Sequence, residues 1–146
     1  MSRPILLLSL MLDQGGSERQ LAETALALDR KRFSPHFGMF RTGCMREAEL
    51  RAAEVPMVHF PVTSFRKPNA LQGAWRMAKY IREHDFQVMH AFDSPLSVLS
   101  SPIVKFFSKS TLMVPSQRGN RKLTPAFRQP LRVADRWADR IVVNCE

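Results

Sequence analysis

The segment Asp13-Gln14-Gly15-Gly16-Ser17-Glu18-Arg19 joins an apolar run to an amphipathic stretch. Adjacent glycines permit positive φ and let another group come close to the backbone. A helix that opens at such a bend aims its unpaired N–H groups and positive dipole end into the loop. A phosphate can sit there without any side chain. The same residues also suit a plain strand-to-helix turn with Ser17 as its cap. Two common nucleotide loops are excluded. The dinucleotide fingerprint needs wider glycine spacing and an acidic residue after the second strand, where Phe40 is followed by Arg41 and Thr42. A P-loop needs Gly-Lys-Ser/Thr, which does not occur.

Three other groups could carry chemistry. His90 and Asp93 stand at the end of an apolar segment. His90 is a candidate catalytic group or a satisfied core histidine. Asp93 is a candidate for catalysis or for binding a hydroxyl, or simply caps the Ser94-Pro95 turn. The cluster Arg118-Gly119-Asn120-Arg121-Lys122 suits a phosphate- or carboxylate-bearing ligand, and Arg66 and Lys67 are candidates to lie near it. Its plainer role is a solvated basic loop. Arg128, Arg132, Arg136 and Arg140 recur every four residues, as one helical face. That face is either solvated or a contact for anionic lipid head groups.

Positioning these groups requires alternating strands and helices. The apolar run Ile5–Leu12 predicts a strand buried on both faces. Strands are also predicted over His36–Phe40, Met57–Phe60, Phe86–Phe92, Leu112–Pro115 and Ile141–Asn144. Helices are predicted over Arg19–Leu28 and Met45–Ala53, after the Asn69 cap, after Ser94, and over Pro125–Trp137 behind a Thr124 cap. Their core stripes are expected to be Leu21, Ala25 and Leu28, then Leu71, Ala74, Trp75, Ala78 and Ile81. The later two are Leu96, Leu99, Ile103 and Phe106, then Phe127, Leu131, Ala134 and Ala138. Pro102 is expected to kink or shorten its helix. The expected fold is therefore α/β, a Rossmann-like, doubly wound, mostly parallel sheet with helices on both faces. Ligands of such sheets bind beyond the carboxyl ends of the strands, where the strand order reverses. The Gly15-Gly16 loop, Asp93 and the Arg118 loop all follow strands.

The chain has 146 residues, enough for one core without staples. Its formal charge of +9 favours anionic partners. Cys44 and Cys145 lie far apart, with no Cys/His ligand spacing. Neither a disulfide framework nor a metal site is expected, and a cytoplasmic setting fits best. Arg3 and the following apolar run imitate a secretory leader. The next residues, Asp13-Gln14-Gly15-Gly16, offer no small-residue cleavage site.

The Gly15-Gly16-Ser17-Glu18-Arg19 bend resembles the G-G-[AS]-E-[RK] signature of the group 1 glycosyltransferases, the glycogen-synthase-like, retaining enzymes of GT-B fold. Three segments agree with it in register: Val88-Met89-His90-Ala91-Phe92-Asp93, Pro115-Ser116-Gln117-Arg118-Gly119, and Ala138-Asp139-Arg140-Ile141-Val142-Val143-Asn144-Cys145-Glu146. The resemblance spans essentially the whole chain. Phe92 stands where many members carry a second histidine, and Gln117 and Arg118 stand where many carry another.

The resemblance implies that residues 1–146 are an N-terminal, acceptor-side domain, inactive alone. A second domain would hold most contacts to a UDP- or GDP-type nucleotide sugar. It implies that Gly15, Gly16 and Ser17 meet the donor phosphates. Arg66, Asp93, Arg118, Asn120, Arg121 and Lys122 then meet a sugar, lipid-linked or small-molecule acceptor. No metal or further cofactor is implied, and the protein is expected in the cytoplasm, with peripheral attachment to the inner face of a membrane allowed. The alternative is a basic Rossmann-like module for nucleic acid or another polyanion. No aromatic residues interleave the basic cluster as nucleic-acid binding would favour.

Overall fold

A computed structural model describes residues 2–62, 64, 67–108, 110–117 and 125–143. In chain order the elements are β1 (Arg3–Ser9), α1 (Gly16–Ala27), β2 (Phe33–Met39), α2 (Glu47–Ala52), β3 (Met57–His59) and α3 (Asn69–His84). They continue with β4 (Val88–Ala91), α4 (Ser94–Phe107), β5 (Leu112–Gln117), α5 (Pro125–Arg136) and β6 (Val142–Val143). All strand pairs are parallel, and the sheet order is β3-β2-β1-β4-β5-β6. The order reverses between β1 and β4. This is the doubly wound architecture expected from the sequence, and in such sheets ligands bind beyond the carboxyl ends of the strands at the reversal, here β1 and β4.

β1 is central because both of its faces are apolar. Leu6 and Leu8 join a core with Phe60, Met77, Ile81, Phe86, Met89 and Leu96 under α3 and α4. Leu7 points to the opposite face and joins Leu21, Ala25, Phe37 and Leu50 under α1 and α2. All three leucines are buried, which stabilises the fold by about 1.5–3 kcal/mol for each side chain removed from water.

Local expectations needed correction where tertiary packing intervened. α3 buries Gly73, Met77, Ala78 and Ile81, while Leu71 and Trp75 of the expected stripe face outward. Val62 supplies the reason. A Cβ on Gly73 would overlap the Val62 side chain, so the helix seats its glycine against the β3–α3 loop and turns its larger side chains away. Pro102 does not shorten α4, which continues to Phe107. Burial of Leu96, Ile103 and Val104 offsets the ~3 kcal/mol local cost of an interior proline. Phe106, expected in the core, is exposed and stacks edge-on against Trp137.

In α5, Leu131 and Ala134 are buried as expected, and Phe127 and Ala138 only partly. The helix caps also differ. The N-cap positions are Gly15, Pro68 and Asp93 rather than Ser17, Asn69 and Ser94. The Thr124 cap and the Asn144 end of the last strand lie outside the described residues.

Candidate functional site at the carboxyl edge

The chain leaves β1 through Ser9, whose hydroxyl donates to the Met11 carbonyl at 2.7 Å. Loops from both neighbouring strands then hold Leu10 to Leu12 in place. Phe40 and Arg41 amides donate to the Leu10 carbonyl at 3.2 and 3.0 Å, and the Arg46 amide donates to the Leu12 carbonyl at 3.2 Å. From the other side, Asp93 Oδ2 accepts the Leu10 N–H at 3.2 Å. This bond crosses the switch point. The buried Leu12 side chain anchors the loop below. The bend that delivers α1 is therefore held by main-chain bonds on one flank and by the Asp93 carboxylate on the other.

The two glycines differ in purpose. Neither uses the positive φ that adjacent glycines permit: Gly15 is extended, with φ −65° and ψ 154°, and Gly16 is the first residue of α1. A Cβ at Gly15 would overlap the Glu18 carboxylate, which lies back over the start of the helix. Glu18 there complements the positive dipole end, an interaction worth about 0.3–1 kcal/mol. Gly15 thus leaves the space that the flexible end of the helix's own acidic side chain occupies. Gly16 is exposed, and a Cβ there would meet nothing within 4 Å. The open approach to the helix start runs over Gly16 and the half-buried Ser17, beside the Glu18 carboxylate.

On the neighbouring strand β4, His90 aligns with Leu7 of β1 and Val114 of β5. Its Nε2 lies 2.8 Å from Oγ of the fully buried Ser116, and its ring leans on Phe92 with centroids 4.3 Å apart. The Ser116 hydroxyl donates if Nε2 is unprotonated and accepts if it is protonated. Either way the bond fixes the plane of the imidazole. The half-buried Asp93 caps α4 through its backbone alone. Its carbonyl accepts the Leu96 and Ser97 amides at 3.0 and 3.1 Å, while its carboxylate serves Leu10.

Ser116 and Asp135 were not singled out by the sequence. Gln117 Nε2, at the end of β5, donates to Asp135 Oδ2 of α5 at 2.8 Å. Burial holds the Asp135 carboxyl above the usual carboxylate range, partly countered by the Gln117 bond. The contact joins the end of β5 to α5. Only the pattern of a polar pair ending an apolar strand hinted at it.

Gly15, Gly16, Ser17, His90 and Asp93 all lie at the carboxyl edge around β1 and β4. Arg66, Arg118, Asn120, Arg121 and Lys122 lie outside the described residues. Arg132 and Arg136 are exposed on α5, and Arg140 falls beyond the helix end, donating to the Asp139 carbonyl at 2.7 Å. The four-residue arginine repeat therefore does not continue as one helical face to Arg140. Among the described residues, no group of three or more His, Cys, Asp and Glu could hold a metal ion, and no helix is long and apolar enough to cross a membrane.

Several solved glycosyltransferases share this fold. Anabaena HepE in complex with UDP and glucose matches at a TM-score of 0.66 and 21% identity, over 94% of this chain and 37% of HepE. Acinetobacter baumannii MurG matches at 0.70 and 11%, over 99% of this chain and 42% of MurG. The lipopolysaccharide outer core galactosyltransferase WaaB matches at 0.67 and 10%, over 95% of this chain and 38% of WaaB. The chain thus spans well under half the length of each. No family model and no curated protein matches it. The shared architecture is one Rossmann-like unit of the GT-B glycosyltransferase fold.

Proposed function

We propose, for a chain that shares its fold with part of these glycosyltransferases, that it forms the acceptor-side half of a sugar-transferring enzyme. The donor is a nucleotide diphosphate sugar of UDP or GDP type, and the acceptor is the hydroxyl of a sugar, a lipid-linked sugar or a small molecule. In the reaction the anomeric C–O bond to the diphosphate breaks and a new C–O bond to the acceptor forms with retention. The acceptor proton goes to a base, and the nucleoside diphosphate leaves with added negative charge.

One observation carries this reading. An open helix start at Gly16–Ser17 and the His90–Ser116 pair lie toward the same carboxyl edge of the sheet, and the Asp93–Leu10 bond ties β4 to β1 across the strand reversal. The Gly16 and Ser17 amides are oriented to stabilise the charge that grows on the departing diphosphate. His90, held by Ser116, is the candidate for the acceptor proton. Asp93 orders the crevice through Leu10 and stands beside the acceptor. The Arg66 and Arg118–Lys122 segments, including Asn120 and Arg121, supply cations for an anionic acceptor or the leaving group. The remaining donor contacts belong to a second unit of the enzyme, so residues 1–146 alone bind donor weakly and do not turn over. Such an enzyme works in the cytoplasm, where nucleotide sugars serve as donors.

An amide NMR titration of the 146-residue chain with millimolar UDP, GDP and UDP-glucose tests the assignment. Shifts concentrated at Gly15–Arg19 and at His90 and Ser116, lost in Gly16→Val, are expected. Shifts confined to other surfaces, or none at all, count against it. A radiolabelled-sugar assay showing turnover by the chain alone would contradict the half-enzyme reading.

A further inference from the structure

The outer face of α3 and α4 carries more apolar surface than a water-facing helix layer needs. Leu71 is 78% exposed, Trp75 67%, Phe106 70% and Phe107 54%. Single exposed apolar side chains are ordinary, but a run of large ones on adjacent helices marks an interaction surface. Trp75 and Phe107 line one groove of about 460 Å³ with Ala78, Lys79, Arg82 and Glu83, so the two helices present a joint surface.

Basic side chains outnumber acidic ones around it. Arg76, Lys79, Arg82 and Lys105 are exposed on α3 and α4, while Glu83 is the only acidic residue of either helix. Glu83 is taken up by Lys79 at 3.7 Å. The Lys79 ammonium also lies 5.7 Å from the Trp75 ring centroid, so its stem runs along apolar surface while its head reaches outward.

We propose that the α3–α4 face docks on an anionic phospholipid bilayer. Leu71, Trp75 and Phe107 enter at head-group depth, and Arg76, Lys79, Arg82 and Lys105 meet the lipid phosphates. Indole and phenyl rings flanked by long basic side chains suit the bilayer–water boundary, where an apolar body and a charged tip are both satisfied. The charge excess selects an anionic leaflet over a neutral one. This surface differs from the α5 arginine face considered from sequence, because it couples basic residues to inserting side chains. It belongs to the outer helix layer and shares no residue with the Gly15–Ser17 bend or the His90–Ser116 pair. The inference does not rest on the glycosyl-transfer reading.

The test is flotation of the 146-residue chain with vesicles of phosphatidylcholine alone and with one-quarter phosphatidylglycerol. At least tenfold greater recovery is expected on the anionic vesicles, falling at least tenfold in W75S/F107S and little in R132Q/R136Q. A W137F chain leaves Trp75 as the only indole, and its emission should shift blue on anionic vesicles and be quenched by brominated lipid. This readout needs no surface variant. Equal recovery on both vesicles, no recovery, or an unquenched Trp75 overturns the proposal. So does light scattering that finds a dimer dissolved by W75S/F107S, which would make a second copy the occupant. Retention of W75S/F107S by an acidic protein but not by vesicles would do the same.

Discussion

The two faces of the sheet are finished differently. Under α3 and α4 one continuous apolar cluster runs from Phe40 and Phe60 to Val104 and Met113. On the other face the cluster around Leu7, Phe37 and Leu50 covers β1 and β2. It thins out over β4 and β5. Because Met89 and Met113 point into the first cluster, their neighbours Val88, His90, Leu112 and Val114 point to the second face. Val88, His90 and Val114 are only half-buried there, and Leu112 is exposed. One face carries the packing that holds the fold. The other leaves a polar pair, His90 and Ser116, beside an edge that solvent and ligands can reach.

Truncation should expose that difference most strongly. Phe60→Ala, in the continuous cluster, should cost about 3–5 kcal/mol in urea unfolding, whereas Val114→Ala on the thin face should cost about 1 kcal/mol. Equal losses would show that the second face is as tightly packed as the first.

The next effect is pH-dependent and also belongs to the thick face. His36 aligns with Leu6 of β1, and its Nδ1 lies 2.7 Å from the Tyr80 hydroxyl. Its ring meets His84 edge-on at 4.9 Å. Burial, reinforced by the neighbouring His84, pushes the His36 imidazole down to about 4. The unfolded chain therefore takes up this proton first. The contribution of neutral His36 is fully present above pH 6.5 and is lost as the pH falls toward 4. A half-buried ring keeps part of its hydration, so the loss should be about 1–2 kcal/mol. Melting temperature measured from pH 7 to pH 4 should fall more steeply in the native chain than in His36→Phe. Parallel slopes would remove the effect.

On the thin face, Ser116→Ala deprives His90 Nε2 of its buried partner. It should cost about 1 kcal/mol and shift the His90 ring nitrogens in ¹⁵N NMR, with the His36 signals unchanged. Unmoved His90 resonances would mean that the hydroxyl does not hold the ring.

The same contrast explains what was legible in the sequence. The alternation of strands and helices could be read because Ile5–Leu12 and its counterparts are apolar runs too short for helices and bounded by turn residues, whereas the strand order needed the structure. The Gly15-Gly16 bend and Asp93 could be put at one edge because both follow strands of a parallel sheet. The face of α3 could not be read. Gly73 has no side chain to register in an apolar pattern, yet its missing Cβ decides which way Trp75 points. The His90–Ser116 pair spans 26 positions and needed the β4–β5 register to become visible. The Asp93–Leu10 bond spans 83 and depends on the strand reversal itself.

The smallest expected effects separate the paired glycines. Gly16→Ala adds a methyl group to open space at a helical position, so it should stabilise the chain by about 0.5 kcal/mol. Gly15→Ala places its methyl where the Glu18 carboxylate lies and replaces a favourable N-cap residue, so it should destabilise by about 1 kcal/mol. Glu18→Gln in the Gly15→Ala background should recover little, because the amide fills the same space as the carboxylate. Glu18→Ala should recover more. Opposite signs at adjacent glycines, read by urea unfolding, would establish that Gly15 answers to the helix and Gly16 to whatever approaches it. If Gly16→Ala then weakens the UDP response while raising stability, the open glycine is kept for binding rather than for folding.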